Sequence, residues 1–553
     1  TTGIPGMHST LFLFVITMLY LFITGYLGYL GYRNTRTATD YMVAGRNAHP
    51  AIMALSYGAT FISTSAIVGF GGAAGMFGMS VLWLTVLNIT VGIFIAFVFI
   101  GKRTRAMGHR LNAHTFPELV AKRFGSPFLG LFSSLVIIGF MPLYTSVVLM
   151  GAAKFIEVRL SVQYETALLF FSAIVALYVI MGGLKGVMYT DAAQGGIMLL
   201  GMSSLLFLAY FKLGGITPAH EQLTALAPKA VELFGAAGHR GWTSMPEFGS
   251  RFWWIVISTL VMGVGIGVLA QPQLAVRFMT VKSDMELNRA VLVGGVFILL
   301  MTGTAFTVGA LANVYFFNES GQIAFLAANK DIEQIIPEFL KRFMPFWIGD
   351  IFFVTLMAAA MSTASGQFHV MGTSVGRDLF ATFGKELSSG ASILANRIGI
   401  LITLIASVLL AYILPVYFES GIAIVARGTA IFMGLCAATF LPFFVGGLYT
   451  KRITRTAAIV GGLAGFIVSL LWILFVHEKE SSVLLLCNAV FGRPSFFGNA
   501  RTGFIIWSEV DALFVGLPVS AVITFVLSFC TKALPVEHIR RCFGQEQKEA
   551  PLS

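Results

Sequence analysis

The chain is apolar in blocks. Runs of about twenty residues with almost no charge recur along it, and about 20 residues of helix span the hydrocarbon core of a bilayer. In lipid an unpaired backbone N–H or C=O costs several kcal/mol, so only helices and closed barrels can cross, and runs this long and this apolar are helices. About thirteen are expected, over 10–32, 52–79, 81–101, 129–153, 164–182, 188–212, 251–277, 288–316, 347–378, 396–418, 422–446, 454–476 and 507–530. Composition agrees: 11% of the 553 residues are charged and 57% are hydrophobic, whereas roughly 25% are charged in soluble domains. The expected fold class is an all-α polytopic membrane protein.

An odd number of crossings puts the termini on opposite sides. Lys and Arg collect in cytoplasmic connections, and most of the 36 in this chain fall in one alternate set, with Arg33, Arg36, Lys102, Arg103, Arg105, Lys122, Arg123, Arg377, Lys451, Arg452, Arg455, Arg540 and Arg541 among them. The N-terminus is therefore predicted outside and the C-terminus inside, in the plasma (inner) membrane. The net charge of +11 is met by anionic lipid at the inner surface and requires no nucleic-acid partner. Of the four cysteines, Cys436 and Cys530 fall in spans, Cys542 inside and Cys487 outside, so no disulfide pair is expected. No cleavable signal is expected, because the first apolar run has full spanning length and no basic region before it. A functional monomer is expected.

Two spans are rich in glycine. The second carries GFGGAAGMFG (69–78), and the seventh carries MGVGIGVLAQPQ (262–273) with Pro272 at its end. Gly and Pro weaken helices, and transporters built on inverted repeats have broken helices at matching positions in their two halves. The two spans lie five apart, so 52–212 and 251–446 would be the repeats, with 10–32, 454–476 and 507–530 as accessory helices. The same glycines would equally serve close helix packing. Two long connections, 213–250 and 317–346, are candidate lids or plain interfacial segments.

Polar residues inside the spans form clusters. In AAAMSTASGQF (358–368), Ala359, Ser362 and Thr363 share one helix face at i, i+3 and i+4, and Ser365 extends the stripe. Isolated hydroxyls in such helices often bond back to their own backbone; three on one stripe among small neighbours leave room for something to approach. ATFISTSAIVGF (59–70) is a second hydroxyl cluster, with Thr60, Ser63, Thr64 and Ser65 beside the glycine-rich region. Carbonyls freed by an unwound turn, together with hydroxyls, suit a hard monovalent cation. Asp191, in GGLKGVMYTDAAQ (182–194), is placed at the start of the sixth span. It reads either as a functional acid in the membrane or as an anion at a helix N-terminus. Lys212 and Arg427 are basic residues inside spans; Arg427 reads as snorkelling to the outer interface or as a counter-ion for an anionic substrate. His369 is expected to be packed or to line a pore. The chain has no GxxxxGK[ST], no HExxH and no Cys/His ligand cluster, so neither an enzyme nor a nucleotide-driven pump is expected. A membrane sensor that keeps a transporter fold is the rival from another class; its mark would be an appended signalling domain.

These segments together resemble the sodium/solute symporter family over roughly 10–460. DYMVAGR (40–46), GGLKGVMYTDAAQ, AQPQLAVRFM (270–279) and AAAMSTASGQF are similar to that family's motifs in the right order, AQPQLAVRFM most closely to the sodium/proline branch. The resemblance implies a LeuT-like five-plus-five inverted repeat and sodium-coupled uptake of a small-molecule substrate. It also implies a sodium site of backbone carbonyls at Ala59, Ile62 and Ala359 with the hydroxyls of Ser362 and Thr363. Asp191, Ser362 and Ser365 match a second sodium site found in some members, so one sodium or two is implied. For the substrate it points to Thr60, Phe61, Tyr144, Val264 and Val268, with Arg427 as the candidate counter-ion. The proline branch's acid would fall at Phe61, and its Trp and Tyr at Val264 and Val268. These departures lean toward a small organic anion such as a monocarboxylate, with a proline-like amino acid, pantothenate or a sugar as alternatives.

Overall fold

The structure is a computed structural model that describes residues 7–379, 388–417 and 424–544. Along the chain run α1 (Met7–Asn34), α2 (Pro50–Phe61), α3 (Phe70–Phe77), α4 (78–110), α5 (Phe116–Phe124), α6 (Pro127–Leu160) and α7 (Tyr164–Lys212). After a long connection come α8 (Arg251–Ala270), α9 (Pro272–Phe278), α10 (Asp284–Ser320), α11 (Phe346–Thr373), α12 (Ser389–Tyr417), α13 (Ile424–Tyr449), α14 (Arg455–Phe475) and α15 (Leu513–Cys530). The two strands among the described residues form a short antiparallel hairpin, Arg501–Thr502 with Ile505–Ile506.

Eleven helices among the described residues are long and apolar enough to cross a membrane. Two are too long for one pass. Ser65–Arg110 has 46 residues and Tyr164–Lys212 has 49, about 70 Å of helix for a hydrocarbon core of about 30 Å. Each doubles back at a glycine with positive φ, Gly78 (φ 78°) and Gly183 (φ 56°), a backbone region that residues with a Cβ avoid. The first reversal brings α4 against α2, where the Tyr57 hydroxyl donates to the Gly92 carbonyl at 3.0 Å. At the second, a Cβ on Gly186 would lie 3.7 Å from the Tyr178 carbonyl oxygen; a straight helix would hold these residues about 12 Å apart. With each reversal counted as a second pass, and α2 and Ser65–Phe77 as one, the described residues make thirteen passes by length and composition.

Among the described residues two crossings are interrupted, next to the glycine clusters rather than within them. α2 stops at Phe61, and Ile62 is extended (φ −90°, ψ 97°) before the helix resumes through a wide turn at Ser65–Gly69. α8 stops before Gln271, also extended (φ −75°, ψ 117°), and Pro272 opens α9, where its missing N–H is no loss. Gly71, Gly72 and Gly75 lie inside α3, and Gly263, Gly265 and Gly267 lie in helical turns of α8. Their role is close packing. A Cβ on Gly309 of α10 would meet the Gly71 carbonyl at 1.9 Å, one on Gly72 the Ile332 carbonyl at 2.0 Å, and one on Gly267 the Met433 side chain at 2.8 Å. Of the two open readings, packing applies to the glycines and unwinding to the residues next to them.

The long connections cover the end of α3. The Trp242 indole donates to the Gly75 carbonyl at 2.8 Å, and His239 Nε2 lies 3.0 Å from the Met76 carbonyl. From 317–346, Ile332, Ile335 and Ile336 pack on the α3 glycines. At the opposite, basic end, Glu118 on α5 pairs with Lys122 (2.7 Å) and with Arg377 past the end of α11 (3.1 Å). Burial would raise the Glu118 carboxyl, but the hydrogen bond to His114 and the charges of Arg377 and Lys122 hold it well below the usual carboxylate range.

α11 is the most enclosed crossing: 78% of its most apolar stretch is buried, against 22% for α1 and 28% for α12 and α15. Its hydroxyls therefore face protein, not lipid. The packing assigned to the glycines predicts a contrast within α10. Gly309→Ala should lower thermal stability by about 1–3 kcal/mol. Gly295→Ala, with nothing within 4 Å of its Cβ position, should leave it unchanged or slightly raised. Equal melting of the two variants in detergent would contradict the packing.

Candidate functional site

The break after Phe61 lies against the hydroxyl stripe of α11. Ser362 Oγ donates to the Ala59 carbonyl at 2.9 Å and lies 3.1 Å from the Ala359 carbonyl. Thr363 Oγ1 donates to the Thr60 carbonyl at 3.0 Å. Ser362 and Thr363 are 0% exposed. Bonding back to their own helix accounts for only part of what these hydroxyls do, since two of the three contacts cross to α2. Ala59, Ala359, Ser362 and Thr363 are thus brought together. Ile62 is next to them in the chain, and its extended backbone takes its carbonyl out of the helical ladder. The group is made of neutral oxygens. A hydroxyl can donate to a carbonyl or turn a lone pair to a cation, so this set suits a hard monovalent ion without titrating.

Beside it is a charge network that the sequence reading describes only in part. Asp191 belongs to the second limb of α7, which restarts after Gly183, so the acid lies about two turns inside the helix. It is not the helix-end anion offered as one alternative above. Its Oδ2 takes hydrogen bonds from Ser56 (2.9 Å), Thr60 (3.1 Å) and Arg277 (2.8 Å), and its Oδ1 takes one from Ser365 (3.1 Å). Arg277 was absent from the expected site residues, although AQPQLAVRFM contains it. It is the last residue of the expected span 251–277, at the boundary with a basic loop. The structure buries it to 1% exposure on α9. Its Nε donates to Ser56 at 2.9 Å and its Nη1 to the Gln273 carbonyl at 2.5 Å. Thr60, expected on the substrate wall, instead joins this network: its hydroxyl contacts Asp191, Arg277 and the Ser362 carbonyl. His369 is packed, with Nε2 3.3 Å from the Met42 carbonyl and its ring against Tyr41.

On the other side of the break is a small cavity of about 20 Å³, room for about one water. Phe61, Ile62 and Ser63 line it from the break, Val264 from α8 and Met433 from α13, with Phe306 opposite. Its polar groups are the side chains of Ser63, Asn88, Thr302 and Thr429; no charged side chain lines it among the described residues. Asn88 Oδ1 is buried and has no hydrogen-bond partner among the described residues. It was not among the expected residues; the one signal in the sequence is an amide inside the third apolar run. Tyr144 stacks obliquely on Phe432 at 5.8 Å, its hydroxyl beside Ser63 and Thr429. Val268 lies one turn beyond Val264 and packs over Gly92 next to Phe61. The side chain of Arg427 lies outside the described residues.

Known proteins share this architecture. The model of the sodium:solute symporter family matches residues 41–465. The osmoregulated proline transporter OpuE of Bacillus subtilis (strain 168) is 28% identical over 486 residues, which cover 87% of this chain and 91% of that protein. The sodium/proline symporter of Escherichia coli (strain K12) is 27% identical over 457 residues, covering 82% and 86%. A substrate-bound, outward-open structure of a Na+-coupled sialic acid symporter superposes with a TM-score of 0.73 at 18% identity, covering 96% of this chain and 100% of that one. That likeness shows the fold, an all-α, LeuT-like polytopic bundle. The matching proteins are transporters, not enzymes. A family match over most of the chain makes this protein a sodium-coupled transporter of a small solute and a member of the sodium:solute symporter family.

Proposed function

We propose that this protein takes up a small organic anion, such as a monocarboxylate, together with sodium, which binds among Ala59, Ile62, Ala359, Ser362 and Thr363. The observation that carries the coupling is the shared break. Phe61, Ile62 and Ser63 line the pocket, while Ala59 and Thr60, on the turn before them, meet the α11 hydroxyls. An ion that fixes this turn also fixes the pocket wall, so each ligand favours the conformation that the other needs. Sodium would enter from the end covered by 213–250 and 317–346, taken as outside, and leave at the basic end. Rocking of 52–212 against 251–446 would alternate access. Each sodium moving inward through the full potential releases about 2.3 kcal/mol per 100 mV.

For the substrate, the helical segment that resumes after the break turns the positive end of its dipole toward a carboxylate. Phe61, Val264, Phe306 and Met433 suit an apolar body, for which the cavity of about 20 Å³ would widen. A second reading is proline. It rests on the proline transporters among the relatives and on Asn88 Oδ1, a buried acceptor without a donor among the described residues, which would suit a substrate N–H.

Uptake of labelled propionate, pyruvate and proline into proteoliposomes, with and without an inward sodium gradient, separates these readings. Sodium-driven accumulation of a monocarboxylate is expected; accumulation of proline alone would favour the second reading, and uptake indifferent to sodium would sink the coupling. Thr363→Ala should raise the sodium concentration for half-maximal uptake at least about ten-fold, equivalent to about 1.4 kcal/mol of ion affinity. An unchanged requirement would remove Thr363 from the cage.

A further inference from the structure

The network around Asp191 already contains a cation, and the chain supplies it. The Arg277 guanidinium is 2.8 Å from Asp191 Oδ2, and both side chains are at most 1% exposed. Ser56 and Thr60 fill the remaining positions on the same oxygen, and Ser365 takes Oδ1. The space for the guanidinium comes from Gly366. A Cβ there would lie 3.1 Å from Arg277 Nη2 and 2.7 Å from Thr60 Cγ2, so a side chain at 366 would press on both. The α11 stripe thus has hydroxyls at Ser362 and Ser365 and a gap at Gly366 into which Arg277 fits.

We infer that Arg277 is the resident cation of the Asp191 site, and that this protein carries one sodium per cycle, in the cage between α2 and α11. The inference rests on the sodium coupling proposed above and narrows it. A buried carboxylate neutralised by a bidentate-capable guanidinium and three hydroxyls has no unmet demand for a second cation. A sodium ion placed against Oδ1 would also meet the repulsion of a fixed positive charge on the same carboxylate. Arg277 does more than neutralise. It is carried on α9, just past the second interrupted helix, and it grips Ser56 and Thr60 on α2 and Asp191 on α7. The ion pair therefore joins the inner half of one broken crossing to the inner half of the other, where a mobile ion would leave on every cycle.

Equilibrium binding of 22Na+ alone to the purified full-length protein tests this. One saturable ion per chain is expected in the wild type. Asp191→Asn should still bind one, and Thr363→Ala should weaken that one at least ten-fold. A wild-type count of two overturns the inference while leaving sodium coupling intact, even if Asp191→Asn does not fold. A single ion that is lost in Asp191→Asn overturns it as well. No saturable 22Na+ in the wild type would overturn the coupling itself.

Discussion

A helix that stops inside a membrane leaves backbone carbonyls that must find partners, because lipid offers none. Here the stop is at Ile62, and the partners are the hydroxyls of Ser362 and Thr363 on α11. The rest of the architecture follows from keeping those two elements together. α11 is enclosed so that its hydroxyls face α2 instead of lipid. The glycines of α3 and α10 let their backbones touch, which anchors the other half of the broken crossing. The connections 213–250 and 317–346 close over the same half, through Trp242 and Ile332. The short stretch Phe61–Ser63 lies between the α11 hydroxyl contacts and the pocket.

The second organising interaction is the buried pair of Asp191 and Arg277. Removing one partner of such a pair typically costs about 3–5 kcal/mol, because the other charge is stranded. Its hydrogen bonds reach α2, α7, α9 and α11, so it ties together the helices that any alternation of access has to move. The oxygens where α2 meets α11 are neutral, and the tethered charge pair beside them joins four helices.

Much of this was legible in the sequence. The apolar blocks specify the crossings because backbone hydrogen bonding in lipid allows few alternatives, and the stripe Ala359–Ser362–Thr363 is fixed by helical periodicity once α11 is recognised. Other features depend on what lies across the interface. The glycines of GFGGAAGMFG could have unwound the helix or packed it, and only the positions of Ile332 and Gly309 decide for packing. Asp191 was placed at a helix end because the reversal at Gly183 comes earlier than the hydropathy shows. Arg277 was passed over because a basic residue at a span boundary normally points to the lipid surface, whereas this one turns inward to an acid far away in sequence. Asn88 is identified only by its missing partner.

The central claim is that the break in α2 and the hydroxyls of α11 form one sodium site. Thermal unfolding of the purified protein in NaCl and in KCl at equal ionic strength tests it most directly, since an ion that binds only the folded state raises its stability by mass action. The account predicts a higher melting temperature in NaCl for the wild type, rising with sodium concentration, and no difference between the two salts for Ser362→Ala. A wild-type protein that melts at the same temperature in both salts would contradict it.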